Sequence, residues 1–168
     1  MALRFLRDEL TVSEPAKRWF EQDSIISFTL PATDGTTGPE WIKRLEGKGF
    51  RLSKWAKDVL NSPDFKPTTG FENNIVVLKG ELFSDDNRIT KNIRTEADKR
   101  KLTTPNAEIV CLIRENFMDN DIKAMGFVWI ITMHEPINDS DGVPDLLDAY
   151  RNDDGRWLHA YYVRPVSR

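Results

Sequence analysis

The sequence has a single cysteine, Cys111, so no disulfide can form within the chain. This absence excludes the small secreted domains that depend on several disulfides, and it fits a reducing compartment. Long apolar runs are also missing. The longest, from Met125 to Met133, is far shorter than the roughly 20 residues that cross a bilayer as a helix, and the N-terminal residues lack the apolar stretch of a signal peptide. We therefore predict a cytoplasmic protein without a membrane segment.

The signatures of several enzyme classes are absent as well. The chain contains no GxSxG, Walker A, GxGxxG or HExxH motif. Its net charge of −3 argues against nucleic-acid binding through bulk positive charge, for which a basic domain is typical. Cys111 lies among apolar residues, which favours a buried small side chain over a reactive thiol.

The chain has enough hydrophobic residues to form one core. A chain of 168 residues with 39% hydrophobic residues predicts a single domain over residues 1–168, in which the segment 1–23 could be loosely packed. In that segment the residues 3–6 and 10–12 are compatible with short strands and 15–22 with a helical turn. Ser24 to Leu30 has the composition of a strand.

The middle of the chain predicts helices around one strand. Pro39 opens a helix through Glu46, and Ser53 caps a second helix, whose pairing with the first places Trp41 and Trp55 in the core. A strand is expected over residues 75–83. Further helices are expected over 86–101, with a buried stripe of Ile89, Ile93 and Ala97, over 105–116 as a central helix, and over 119–125.

The C-terminal part predicts strands. Phe127 to His134 is nearly all apolar, which is typical of a central strand covered on both faces. The strands 146–151 and 156–163 flank an Asp-Gly turn and predict an antiparallel hairpin. The order of elements favours an α+β fold with a mixed or mainly antiparallel sheet, helices packed on it and a C-terminal β-hairpin.

Two stretches of the chain, Thr104 to Gly142 (TPNAEIVCLIRENFMDNDIKAMGFVWIITMHEPINDSDG) and Gly155 to Tyr162 (GRWLHAYY), resemble a family of uncharacterised bacterial proteins. The resemblance implies a bacterial intracellular origin. That family has no assigned activity, so the resemblance implies no reaction, cofactor or catalytic residue.

The end of the apolar strand provides the main candidate site. His134 and Glu135 come first as possible catalytic groups, since imidazole titrates near neutrality. The acidic loop after them supplies Asp139, Asp141 and Asp145 as possible ligands of a divalent cation. No second metal-spaced histidine is present, and the calcium-loop pattern fails at Ile137. The alternative interpretation is a solvated acidic turn beside a structural histidine. No other cofactor is predicted.

A second candidate is the basic surface of one helix, formed by Arg88, Lys91, Arg94, Lys99 and Arg100. Such residues could contact nucleic-acid phosphates. The following helix is mostly apolar where base contacts would be needed, and Glu96 and Asp98 dilute the charge. The alternative is a solvated helix face with local ion pairs, so nucleic acid is not the favoured partner.

Charge is also distributed unevenly along the chain. Basic residues concentrate before Lys101, and the stretch from Glu135 to Asp154 is strongly acidic with Arg151 as its one base. This asymmetry is compatible with an oriented contact to a protein partner or with self-association. Because no catalytic set assembles, we expect a non-catalytic binding or interaction domain. A metal-dependent hydrolase or nuclease centred on His134 and the acidic loop, and a nucleic-acid binder using the basic helix, are the alternatives.

Overall fold

The computed structural model describes residues 17–163, within which eight strands form two sheets and five α-helices pack on them, an α+β fold. The strands are β1 (Phe20–Gln22), β2 (Ile25–Leu30), β3 (Arg51–Leu52), β4 (Asn73–Leu78), β5 (Trp129–Ile131), β6 (Ile137–Asn138), β7 (Pro144–Asn152) and β8 (Gly155–Tyr162). The helices are α1 (Gly38–Gly47), α2 (Lys54–Asn61), α3 (Thr90–Lys99), α4 (Ile109–Asn116) and α5 (Asp119–Ala124). Within the described range, no helix has both the length and the apolar character to cross a bilayer.

The smaller sheet has the order β1-β2-β4, and both of its pairings are antiparallel. Alternate side chains of β2, Ile26, Phe28 and Leu30, enter the core, which is the period-two burial expected of a strand with one covered face. The strand predicted from Ser24 is confirmed. The helical turn predicted over 15–22 is wrong where it can be checked, because Phe20–Gln22 is strand β1. The strands expected over 3–6 and 10–12 lie outside the described residues.

The larger sheet has the order β3-β8-β7-β5, and β6 also pairs with β7. The pairs β7–β8 and β5–β7 are antiparallel, whereas the short β3 runs parallel to β8. The predicted C-terminal hairpin is therefore confirmed. Its turn differs in detail, since Asn152 pairs with Gly155 and leaves Asp153 and Asp154 as the two central turn residues.

Helices α1 and α2 form the predicted pair. The carboxylate of Glu40 accepts hydrogen bonds from the backbone N–H and the hydroxyl of Thr37, the residue before α1, and so fixes the start of this helix. Ser53 Oγ accepts from the N–H of Ala56 and caps α2, as predicted. Trp41 is buried as expected, but Trp55 is exposed and does not belong to the core.

Helix α4 contacts both sheets and supplies the centre of the core. Its residues from Ile109 to Arg114 are all buried, and those from Ile109 to Ile113 form one cluster with Phe28 of β2 and with Leu147 and Leu158 of the larger sheet. The helix predicted over 105–116 is thus central as expected, although it begins only at Ile109. Cys111 is a free thiol within this cluster, and burial raises its pKa.

The strand predicted over Phe127 to His134 is shorter than expected and is not central. Only Trp129–Ile131 forms β5, which lies at the edge of the sheet, and Trp129 is 56% exposed. The central strand is β7, whose residues from Asp145 to Ala149 are buried. Apolar composition alone misled the prediction because exposed apolar side chains at a surface have the same one-dimensional pattern as buried ones.

The helix predicted over 86–101 is also shorter. Residues Asp85–Asn87 form a 3-10 turn, and α3 begins at Thr90. None of its residues is buried, so the four-residue repeat of Ile89, Ile93 and Ala97 does not form the expected buried stripe. The helix lies on the surface, held partly by the bond from Arg94 to the carbonyl of His134.

Candidate functional site

His134 lies just beyond β5 and completes the hydrogen bonding of β7. The N–H of Thr132 donates to the carbonyl of Leu147 at 3.0 Å, which extends the pairing of β5 with β7 by one bond. The N–H of the same residue, Leu147, donates to Nε2 of His134 at 2.9 Å. The imidazole therefore occupies the place that a partner strand would normally fill.

The other nitrogen of His134 is also engaged. Nδ1 lies 2.6 Å from the carbonyl oxygen of Glu135, so it carries the proton and donates it, while Nε2 acts as acceptor. The side chain is 1% exposed, and burial lowers the pKa of His134. The ring is held as the neutral tautomer, and proton transfer through either nitrogen would break one of these hydrogen bonds.

Glu135 points away from this arrangement into solvent, 3.7 Å from the guanidinium of Arg94. An open cavity of about 370 Å³ lies beside it, between the loops 64–66, 105–107 and 134–137. Its charged rim, Asp64, Lys66 and Glu135, mixes both signs. The cavity therefore offers no concentrated charge for a substrate of one sign.

The acidic loop uses its first carboxylate for its own backbone. Asp139 Oδ1 accepts from the N–H groups of Asp141 at 2.8 Å and Val143 at 2.9 Å. The loop is also tied to α2, because Ser140 Oγ donates to the carboxylate of Asp58 at 2.6 Å. Asp141 is exposed, with Lys54 3.8 Å away. Two of the three predicted metal ligands are thus a turn-forming residue and a solvated one.

Asp145 differs from the other loop carboxylates. It is 3% exposed, on the face of β7 that is turned towards α2 and the core. Burial, together with the nearby charges of Asp139 and Asp58, raises the pKa of Asp145 to about 6, and no hydrogen bond counteracts that shift. In residues 17–163, no three His, Cys, Asp or Glu side chains are grouped so as to hold a metal ion. The loop therefore brings Asp139 close to Asp145 and leaves Asp141 apart.

The arginines of the predicted basic surface have partners within the protein. Arg88 lies 3.2 Å from Asp85 and donates to the carbonyl of Gly80, Arg94 donates to the carbonyl of His134, and Arg100 bonds Glu96. Of the five predicted residues, Lys91, Arg94 and Lys99 lie on α3, whereas Arg88 precedes this helix and Arg100 follows its last residue. Three of the five predicted residues therefore have local partners, and contact with nucleic acid stays a prediction.

A different surface gathers side chains that the sequence analysis did not combine. Alternate residues of a strand lie on one face, and the observed register places residues of four neighbouring strands side by side. We call this surface the aromatic face and define it by Arg51, Trp129, Ile131, Leu146, Asp148, Tyr150, Trp157, His159 and Tyr161.

One row of the aromatic face crosses the whole sheet. Arg51 of β3 pairs with Trp157 of β8, which pairs with Tyr150 of β7, which pairs with Trp129 of β5. The guanidinium of Arg51 lies 4.8 Å from the ring centre of Trp157. The ring centres of Trp129 and Tyr150 are 6.1 Å apart and the ring planes are tilted by 40°.

The next row contains an ion pair. His159 Nδ1 lies 3.4 Å from the carboxylate of Asp148, its direct cross-strand partner. The hydrogen bond to Asp148 raises the pKa of His159 although partial burial opposes it. Asp148 is buried, whereas nearly half of the His159 side chain is exposed. This pairing fixes Nδ1 of His159 and directs Nε2 away from Asp148.

The two faces of the larger sheet have different surroundings. Leu147, Ala149, Leu158 and Ala160 belong to the core cluster, on the side to which α2 and α4 pack. On the aromatic face, Leu146 and Asp148 of the central strand are also buried, but Trp129 is 56% and Tyr161 46% exposed. The signal for this face was present in the sequence, in the alternation of Asp148 with Tyr150 and of Trp157 with His159 and Tyr161. The register of the hairpin is needed as well, because it determines which residues of β7 and β8 lie side by side.

Comparison with known proteins adds no assignment, since no family model, curated protein or solved structure matches the chain.

Proposed function

We propose that this chain is a non-catalytic interaction domain that binds a protein partner on the aromatic face. The observation that carries the proposal is the cross-strand row of rings, which ends at the strongly exposed Trp129. Trp, Tyr and Arg are the residues most enriched among those that dominate binding energy at protein interfaces. All three occur in this row.

The character of the surface supports a binding role. Large exposed apolar side chains are common singly, but a contiguous group with polar residues in it is typical of interaction sites. On the aromatic face, Trp129 and Tyr161 flank the Asp148–His159 pair. Apolar rings would contribute buried area, and the ion pair would contribute orientation.

The surroundings of His134 also favour binding over catalysis. A general base must be able to reach and accept a substrate proton. His134 is buried with both nitrogens bonded, and the carboxylate of Asp139 holds its own turn. These roles are structural and account for the side chains without any reaction.

One observation favours a second candidate, the metal-dependent hydrolase. A buried carboxylate whose pKa is raised by desolvation and by a neighbouring carboxylate is frequent at functional sites, and Asp145 beside Asp139 is of this kind. A divalent cation would relieve their repulsion and could activate water. Thermal melting with EDTA and with added Mg²⁺, Mn²⁺ or Ca²⁺ tests the cation site that the hydrolase requires: a cation-dependent rise in Tm that Asp145→Asn abolishes would support this site, and no shift would reject it.

The interaction domain is tested by affinity capture with three surface variants, followed by binding measurements between purified proteins. Trp129→Ala and Tyr161→Ala remove rings from the aromatic face. Phe20→Ala is the matched control because Phe20 is 63% exposed on β1 of the other sheet. We expect a partner that binds wild type and Phe20→Ala equally and binds both aromatic-face variants at least about tenfold more weakly, a loss of roughly 1.4 kcal/mol.

Circular dichroism spectra and melting curves should be the same for all three variants, which shows that binding and not folding has changed. The proposal would be overturned if every captured protein bound the three variants equally. It would also be overturned if the purified chain bound no partner through this surface.

A further inference from the structure

We infer that the partner segment bound by the aromatic face is an extended, proline-rich peptide in the polyproline II conformation with a basic residue at one end. This inference rests on the proposed interaction function and specifies the chemistry of the partner. It is drawn from three properties of the aromatic face, which are its excess of hydrogen-bond donors, the spacing of its rings and the charge of the adjacent turn.

Hydrogen-bond donors predominate among the polar groups of the aromatic face. The indole of Trp129 is a donor only, and the hydroxyls of Tyr150 and Tyr161 can donate. His159 uses Nδ1 on Asp148, and when the ring is protonated, which Asp148 favours, its Nε2–H is a further donor. The carboxylate of Asp148 is the main acceptor, and it is buried against His159.

This balance selects a ligand that mainly accepts hydrogen bonds. A polyproline II segment has no internal hydrogen bonds, so its carbonyls are free, and each proline lacks an N–H. An ordinary extended peptide would bring N–H groups that need acceptors, which the aromatic face does not supply in number. Proline-rich segments are recognised elsewhere by grooves lined with aromatic side chains for this combination of reasons.

The spacing of the rings matches the repeat of such a peptide. Trp129 and Trp157 lie in the same cross-strand row, separated by Tyr150 on β7. Two strand spacings correspond to about 10 Å. A polyproline II helix rises 3.1 Å per residue with three residues per turn, which is about 9 Å per turn. Side chains three residues apart could therefore contact rings on β5 and β8 while the peptide crosses the strands.

The charge next to this row suggests the basic residue. The row ends close to the β7–β8 turn, whose central residues Asp153 and Asp154 are exposed. Arg51, the cation at this end, stacks on Trp157 and donates to the carbonyl of Asp154. The two carboxylates are thus left to attract a cation from the partner, and they would repel the phosphates of a nucleic acid.

The test uses synthetic peptides and the full chain. The probe is an arginine followed by nine prolines. One control peptide replaces the prolines by alternating glycine and serine, and another replaces the arginine by glutamate. Affinity is measured by calorimetry, and the contact surface is mapped by amide chemical-shift changes.

We expect saturable binding of the arginine–proline peptide, with shifts concentrated on β5, β7 and β8. Trp129→Ala and Tyr161→Ala should weaken it at least about tenfold, equivalent to roughly 1.4 kcal/mol, while Phe20→Ala leaves it unchanged. The glycine–serine peptide should not bind measurably. The glutamate peptide should bind more weakly than the arginine peptide, and Asp153→Asn with Asp154→Asn should reduce that difference.

Several outcomes would overturn the inference. The first is equal binding of the proline and glycine–serine peptides, and the second is chemical-shift changes outside the aromatic face. The third is preferential binding of another class of ligand to this face, probed with the oligosaccharide cellohexaose and the single-stranded DNA oligothymidine. The fourth is dimerisation of the chain through this face. If the peptides fail but a captured partner still depends on Trp129 and Tyr161, the interaction function remains and the polyproline class is rejected. If neither depends on these residues, both proposals fail.

Discussion

The two histidines of the chain are placed in opposite electrostatic surroundings. His134 is buried and neutral, with Nε2 accepting a backbone hydrogen bond, so protonation would remove that acceptor. His159 is partly exposed beside the carboxylate of Asp148, which stabilises the charged ring. The same residue type therefore serves as a substitute for a strand in one place and as half of an ion pair in the other.

This contrast predicts two separate proton titrations. Because the chain contains two histidines, NMR should show two imidazole signals, one with a midpoint below about 6.5 and one above it. We assign the low pKa to His134, caused by burial, and the high pKa to His159, caused by Asp148. Asp148→Asn should move only the higher midpoint downward, and His134→Gln should remove the lower signal. Coincident midpoints would contradict these assignments.

The same shifts have opposite consequences for stability. A histidine whose pKa is lowered on folding contributes stability that is present above its unfolded pKa and is lost as pH falls. His134 belongs to this group. The raised pKa of His159 means that its contribution is present below the unfolded value and is lost as pH rises through the folded pKa.

Asp145 predicts a stabilising substitution. Its pKa of about 6 lies above the usual value of 3.8, so the folded state holds the proton more tightly. Stability should consequently fall as pH rises from about 4 through 6. Asp145→Asn removes the buried charge and should raise the free energy of unfolding by about 1–3 kcal/mol at pH 7.5, with little change at pH 4.

Urea unfolding at both pH values measures this effect. Asp141→Asn is the matched control, since Asp141 is exposed in the same loop and should change stability by less than about 0.5 kcal/mol. A loss of stability in Asp145→Asn at pH 7.5 would mean that the carboxylate has a favourable partner, as a bound cation would be.

At the scale of elements, the sequence was sufficient to predict those features that depend on residues close together in the chain. The cap at Ser53, the hairpin around Asp153 and the strand after Ser24 all formed as predicted. The edge position of β5 and the exposed surface of α3 were not predictable in this way. Both depend on which elements cover a given apolar residue, and this is decided by contacts distant in sequence.

The contact between α1 and α2 depends on a glycine. A Cβ at Gly38 would lie 1.7 Å from the carbonyl oxygen of Leu60, a backbone atom that cannot move without displacing α2. Gly38→Ala should therefore destabilise the protein by about 3 kcal/mol or more, as severe overpacking does. At Gly47, the other end of α1, a Cβ would meet no atom within 4 Å beyond its own stretch of helix, so Gly47→Ala should be neutral or stabilise by up to about 1 kcal/mol.

Thermal and urea unfolding measure the stability of Gly38→Ala and Gly47→Ala relative to wild type. Equal stabilities would show that the helices separate readily and that their close approach is not required. Such a result would contradict the close contact of Gly38 with Leu60.

At the scale of the whole molecule, the candidate site could be predicted only in part. The sequence identified His134 and the acidic loop as a local group, and the structure does bring Asp139 near Asp145. The aromatic face was missed because its members come from four strands, one of which, β3, lies about a hundred residues before its partner β8. Only the register of the folded sheet places Arg51, Trp157, Tyr150 and Trp129 in one row.

Phe117 connects the two sheets and predicts how the molecule unfolds. The ring centre of Phe117 lies 4.8 Å from that of Phe28 in the smaller sheet. In the chain, Phe117 follows directly after α4, which packs on the larger sheet. Because one core cluster includes residues of both sheets, we expect a single cooperative transition.

Phe117→Ala should lower the free energy of unfolding by about 3–5 kcal/mol and shift the far-ultraviolet circular dichroism and tryptophan fluorescence midpoints together. Phe71→Ala, at an exposed ring, should shift neither. If Phe117→Ala released hydrogen-exchange protection in β2 while β8 kept its own, the two sheets would be independent units, and the single-domain prediction for residues 1–168 would be wrong.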